Sequence, residues 1–200
     1  MIILEKSTTE ILKILLKDFT KKKTISSFSE DIKIGRSGVW KALKRLESKK
    51  LIKLDPIGKG KTSAYEITLN WKNPIVEKTL ATILLEDALE QERWRDSFKK
   101  LEEHALFTIL FGSTLHSPKE ANDIDIIIVA RTKKDFKAID STITEAQQTQ
   151  IKKIHAIDLT KEELRIELDN KNKAYLDAIK KGTILFGQEN FIKFVEDISK

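Results

Sequence analysis

The sequence predicts an α+β protein built in two parts, and three observations carry that reading. The first third sets three short helical stretches before two strand-like runs. A glycine-free stretch, residues 74–104, then separates it from the remainder. In that remainder two apolar runs, "ALFTILF" and "IIIV", flank a Gly-Ser pair and an Asp-x-Asp.

Charge divides the chain in the same place. Residues 1–70 hold 16 basic against 8 acidic residues, a net of +8, while residues 71–200 hold 21 against 23, a net of −2. A one-sided positive field is an electrostatic signature of polyanion binding. No apolar run reaches the ~18–20 residues that span a bilayer. The start "MIILEKSTTE" lacks the features of a secretory signal. With no cysteine in the chain, disulfides, thiolate–zinc sites and a cysteine nucleophile are excluded. These features predict a cytoplasmic protein without a membrane segment.

In the first third, Ile11, Leu12, Leu15, Leu16 and Phe19 recur at helical spacing over residues 8–19. Ser27 and Glu30 have capping-box spacing and predict a second helix start. Gly35 supplies a turn into a third helix over 37–49, with Val39, Leu43 and Leu46 inward and Lys41, Lys44 and Arg45 outward. Trp40, beside the inner stripe, is read as core. "LIKLD" and "TSAYEITLN" are strands joined by "PIGKGK", a hairpin with two lysines.

Three helices followed by a basic hairpin resemble a winged helix-turn-helix over residues 7–70, and "RSGVWKALKRLESKKLIK" is its most similar stretch. The resemblance implies a third helix in the major groove of double-stranded DNA and a wing along the backbone. Arg36, Ser37, Lys41, Lys44 and Arg45 become the groove and phosphate contacts, and Lys59 and Lys61 the wing contacts. Winged helices that bind DNA commonly act as dimers, so a homodimer is one expectation, with the oligomeric state left open by the sequence.

Pro74 suits the first turn of a helix, and Leu80, Leu84, Trp94, Phe98 and Leu101 follow a helical stripe. One connecting helix is expected, with a break near "EQER" left open. The predicted organisation is a DNA-binding domain at 1–72, a connecting helix at 73–104 and a second domain at 105–200.

There, Gly112 ends the first strand, and Asp123 and Asp125 share a face at the start of the next because strand side chains alternate. Paired carboxylates repel unless a divalent cation lies between them, and Mg²⁺ with phosphate oxygens suits such a pair. Glycine lets backbone N–H groups approach a phosphate, and Ser113 adds a hydroxyl.

Gly-Ser, a spacer and Asp-x-Asp before an apolar strand resemble the nucleotidyltransferase superfamily typified by DNA polymerase beta. The likeness is to its minimal members, over about residues 104–190, with "AIKKGTILFGQENF" similar to their usual ending. It implies a mixed sheet with flanking helices and transfer of a nucleoside monophosphate, AMP favoured, from an NTP. Asp123 and Asp125 would hold Mg²⁺ (or Mn²⁺), and Gly112 and Ser113 the triphosphate of ATP. A third catalytic carboxylate is expected on the strand at 152–160: Asp158 is the available acid, while another register puts His155 there. His116 and Ser117 stand where the family has a basic residue and glycine. The acceptor implied is a macromolecule, as in antitoxins that modify a small helical toxin-like protein. The alternative is a transcription regulator with a catalytically inactive nucleotide-sensing domain, and a third reading is transfer to a small molecule such as an aminoglycoside.

Overall fold

The computed structural model describes residues 4–57 and 64–199. Helix α1 (Lys6–Lys17) buries Thr8, Ile11, Leu12 and Leu16, one face of a 3.6-residue repeat. Helix α2 (Ile25–Ile32) is capped one turn earlier than its spacing predicts. The Thr24 hydroxyl accepts from the Ser27 amide at 3.2 Å, and Ser27 Oγ accepts from the Thr24 amide at 3.0 Å. Ser27 is therefore the reciprocal member of the capping box, not its first residue. Helix α3 (Arg36–Ser48) starts at Gly35 and buries Val39, Ala42, Leu43 and Leu46.

Strands β1 (Ile52–Ile57) and β2 (Ala64–Leu69) pair antiparallel from Ile52↔Leu69 to Ile57↔Ala64. Three helices and this hairpin make a winged helix. The hairpin tip, with Lys59 and Lys61, lies outside the described residues. Beneath α2 sits a buried cation: Lys23 Nζ donates to Asp18 at 2.6 Å and to Asp31 at 3.2 Å. Lys23 and Asp18 are 6% and 7% exposed, Asp31 35%. Burying the lysine costs desolvation that its ion pairs with the two carboxylates offset.

The chain divides into two compact units, residues 1–83 and 84–198, so the division falls within α4 (Pro74–Leu89). The glycine-free stretch is not one helix. It continues as α5 (Glu92–Ser97) and α6 (Leu101–His104), with turns between. Those turns bring Trp94, Phe98 and Leu101 together into a single core.

In the second unit β3 (Ala105–Phe111) leads to β4 (Asp123–Ala130), then α7 (Phe136–Thr149) and β5 (Lys153–Leu159). Helices α8 (Lys161–Asp169) and α9 (Lys173–Lys181), strand β6 (Thr183–Phe186) and α10 (Gln188–Ile198) complete it. The sheet order is β5-β4-β3-β6. β3 runs antiparallel to both neighbours, while β4 and β5 are parallel, as a helical crossover through α7 requires. Ile124, Ile126 and Ile128 face a core shared with Trp94, Phe98, Ile139 and Ile154. On the other side Phe107 packs edge-on against Phe191, with ring centroids 5.4 Å apart, and near Phe194 at 5.6 Å. Both faces are covered, which is why β4 reads as an unbroken apolar run.

Lys23→Ala should lower the free energy of unfolding by about 3–5 kcal/mol, because the buried Asp18 carboxylate loses the Lys23 ammonium. Asp31→Asn removes only the more exposed partner and should cost about 1 kcal/mol or less. Urea denaturation of the two variants measures the contrast, and equal effects would refute it.

Candidate functional site

Helix α3 separates its residues by charge as well as by polarity. Arg36, Ser37, Lys41, Lys44 and Arg45 are all exposed, while the opposite stripe is buried. Two of these cations already have partners. Lys44 Nζ donates to Glu47 at 2.8 Å and lies 4.8 Å from the centre of the Trp40 ring; Arg45 pairs with Glu5. Such exposed pairs contribute about 0–1 kcal/mol and are screened by salt, so a phosphate can replace them. Trp40 is only half-buried, contrary to its expected core position. Its ring packs on Tyr65 of β2 with centroids 5.3 Å apart, bracing α3 against the hairpin.

The second cluster lies at the start of β4. The parallel register sets Asp125 opposite His155, and Ile128 opposite Asp158. His155 Nδ1 is 3.3 Å from Asp123 Oδ2 and 3.6 Å from Asp125 Oδ1. Asp158 is three residues further along β5, an odd step that sends its side chain to the other face. The set assembled is therefore Asp123, Asp125 and His155, and it lacks the third acid. A register between distant strands has no local sequence signal, so only the pairing itself could choose between His155 and Asp158.

Gly112 adopts φ +81, and a Cβ built there would lie 2.3 Å from Asp125 Oδ2. Its missing side chain makes room for the carboxylate. Ser113 begins a single 3-10 turn, and Thr114, unnoticed in the sequence, donates to the Asp123 carbonyl at 2.6 Å, tying this loop to β4. Gly112, Ser113 and His116 are exposed. Burial and then the Asp123 charge hold the Asp125 carboxyl above its ordinary value, against the opposing pull of His155.

No protein-family model matches the chain. No curated protein matches it either. Solved structures of Lactococcus lactis ZitR are similar to it. One of them, a single-residue mutant, is 25% identical over 48% of this chain and 64% of that one, with a TM-score of 0.36, so the chain spans a little under two thirds of its length. The crystal structure of ZitR described as a zinc-responsive MarR family member is 20% identical over 74% of this chain and 77% of that one, with a TM-score of 0.34. These matches name no nucleotidyltransferase.

The fusion to a minimal nucleotidyltransferase is accordingly corrected, together with NMP transfer, the Mg²⁺ (or Mn²⁺) and ATP chemistry, and the antitoxin-type partner. The geometry gives the physical reason. His155 stands where the third acid was expected, Asp158 is turned away, and the space at Gly112 accommodates Asp125. Among the described residues no helix is long and apolar enough to cross a membrane.

In metal-free protein Asp125→Asn should melt at the same or a higher temperature, because the substitution removes a carboxylate disfavoured by burial and by Asp123. Asp158→Asn, exposed on the other face, should alter stability by no more than about 0.5 kcal/mol. Calorimetry decides both; a lower melting temperature for Asp125→Asn refutes the first.

Proposed function

We propose that this chain is a DNA-binding transcription regulator. Residues 1–72 form the part that engages double-stranded DNA, and residues 105–200 form an effector domain joined to it through the helical segment at 73–104. The observation that carries this proposal is the two-sided α3: a fully buried apolar stripe backed by an exposed face bearing Arg36, Ser37, Lys41, Lys44 and Arg45. Set in a winged helix, that face has the width and charge to enter a major groove. Lys41 and Arg45 lie one turn apart, so a single docking pose presents both to the duplex. Lys59 and Lys61, which lie in the sequence between β1 and β2, would add wing contacts in the same proposal. Two copies on a symmetric site, in the cytoplasm, complete it.

The test is electrophoretic mobility shift of the full chain on duplex DNA from upstream of its own gene, with a random duplex as control. Binding should weaken steeply with salt as phosphate contacts release counterions. The double variant Lys41→Ala, Arg45→Ala should weaken binding and reduce the salt slope by roughly two, about one per lost phosphate contact. Salt-insensitive binding, or an unchanged slope in the double variant, refutes the DNA assignment.

A further inference from the structure

We infer that Asp123, Asp125 and His155 form a binding site for one late first-row divalent metal ion, of which zinc is the type. Asp125 and His155 occupy facing positions of two hydrogen-bonded strands, and Asp123 lies two residues before Asp125, opposite Lys153, so the backbone holds their spacing before any ion arrives. One ligand atom from each lies within 4.8 Å of the others. Two of the separations, from His155 Nδ1 to Asp123 Oδ2 and to Asp125 Oδ1, are 3.3 and 3.6 Å.

A tetrahedral zinc ion with bonds of about 2.0–2.1 Å has ligand–ligand edges of roughly 3.3–3.4 Å. The observed spacing therefore suits one ion after small side-chain shifts. The side chains are 45% (His155), 34% (Asp123) and 25% (Asp125) exposed, which leaves the outward position open to water or a further ligand.

The donor set chooses the class of metal. Mg²⁺ favours oxygen ligands in near-ideal octahedral geometry, and an imidazole nitrogen is a poor substitute. Zinc, cobalt and nickel accept imidazole and carboxylate together. Without an ion the two aspartates repel each other, and binding relieves that repulsion. At Gly112 the absent Cβ leaves the space that Asp125 Oδ2 occupies, since a Cβ there would lie 2.3 Å from it. Thr114 anchors the loop to the Asp123 carbonyl at 2.6 Å. Metal binding at this site does not require that the first unit bind DNA, so the two assignments fail separately.

The experiment uses the full chain after chelation, titrated with Zn²⁺ in a calorimeter, with Co²⁺ followed by its visible ligand-field bands, and with Mg²⁺ as control. One Zn²⁺ per chain should bind, far tighter than Mg²⁺, and Co²⁺ should develop the intense bands of four-coordination. His155→Ala should weaken Zn²⁺ by more than the roughly tenfold that loss of an outer-shell partner alone costs, and should abolish those bands. Asp158→Asn should leave binding unchanged. If His155→Ala fails to fold, His155→Asn keeps a polar group at that strand position and serves instead. Zn²⁺ affinity unaltered by the loss of His155, equal affinity for Mg²⁺, or no binding of any of the three ions overturns the site.

Discussion

The parallel pairing of β4 with β5 is the constraint on which the second unit depends. It aligns Ile124 with Ile154 on the core side and Asp125 with His155 on the other. One residue of slippage would turn the β5 side chains over, carrying Ile154 off the core that Ile124 faces and His155 into it. Burial of Ile124, Ile126 and Ile128 therefore holds the register, and the register in turn holds the polar cluster. The stability of the core and the geometry of the site are two faces of one arrangement.

The first unit solves a related problem on a helix. Val39, Leu43 and Leu46 must face inward for the three helices to pack, and that leaves Arg36, Lys41, Lys44 and Arg45 no place but the surface. Intrahelical and neighbouring carboxylates keep two of these cations loosely occupied. Lys23 marks the contrast. It is buried between Asp18 and Asp31 and belongs to the scaffold. Lysines within twenty-odd residues of one another thus do opposite work, decided by burial.

Much of this was legible in the sequence where the signal is local. The α3 stripe, the two hairpin strands and the shared face of Asp123 and Asp125 all follow from periods of 3.6 and 2. The cap of α2 was displaced because Thr24 and Ser27 both belong to the residue types that cap, and spacing alone favoured Ser27 with Glu30. The first break, between Leu89 and Glu92, falls at the polar "EQER" where the sequence left one open, while the second, before α6, was hidden because no glycine marks it; the demand comes from a distant core that needs Trp94, Phe98 and Leu101 together. The partner of the aspartates was hidden for a stronger reason. His155 and Asp158 are equally plausible in sequence, and only a pairing set by remote packing distinguishes them.

That choice has chemical weight beyond its geometry. With an acid opposite Asp125, the strand pair would offer three hard oxygen donors, suited to Mg²⁺. With His155 there, the same backbone offers two oxygens and a nitrogen, and preference moves toward zinc and its neighbours. The frame is indifferent to the change, because position 155 is exposed and the register is maintained by Ile154 and Ile124 from the opposite face. Gly112 remains useful in either case, since its role is to clear space for Asp125. A motif of glycine, serine and paired aspartates therefore specifies where an ion would lie, while the side chain one strand away specifies which ion it would be.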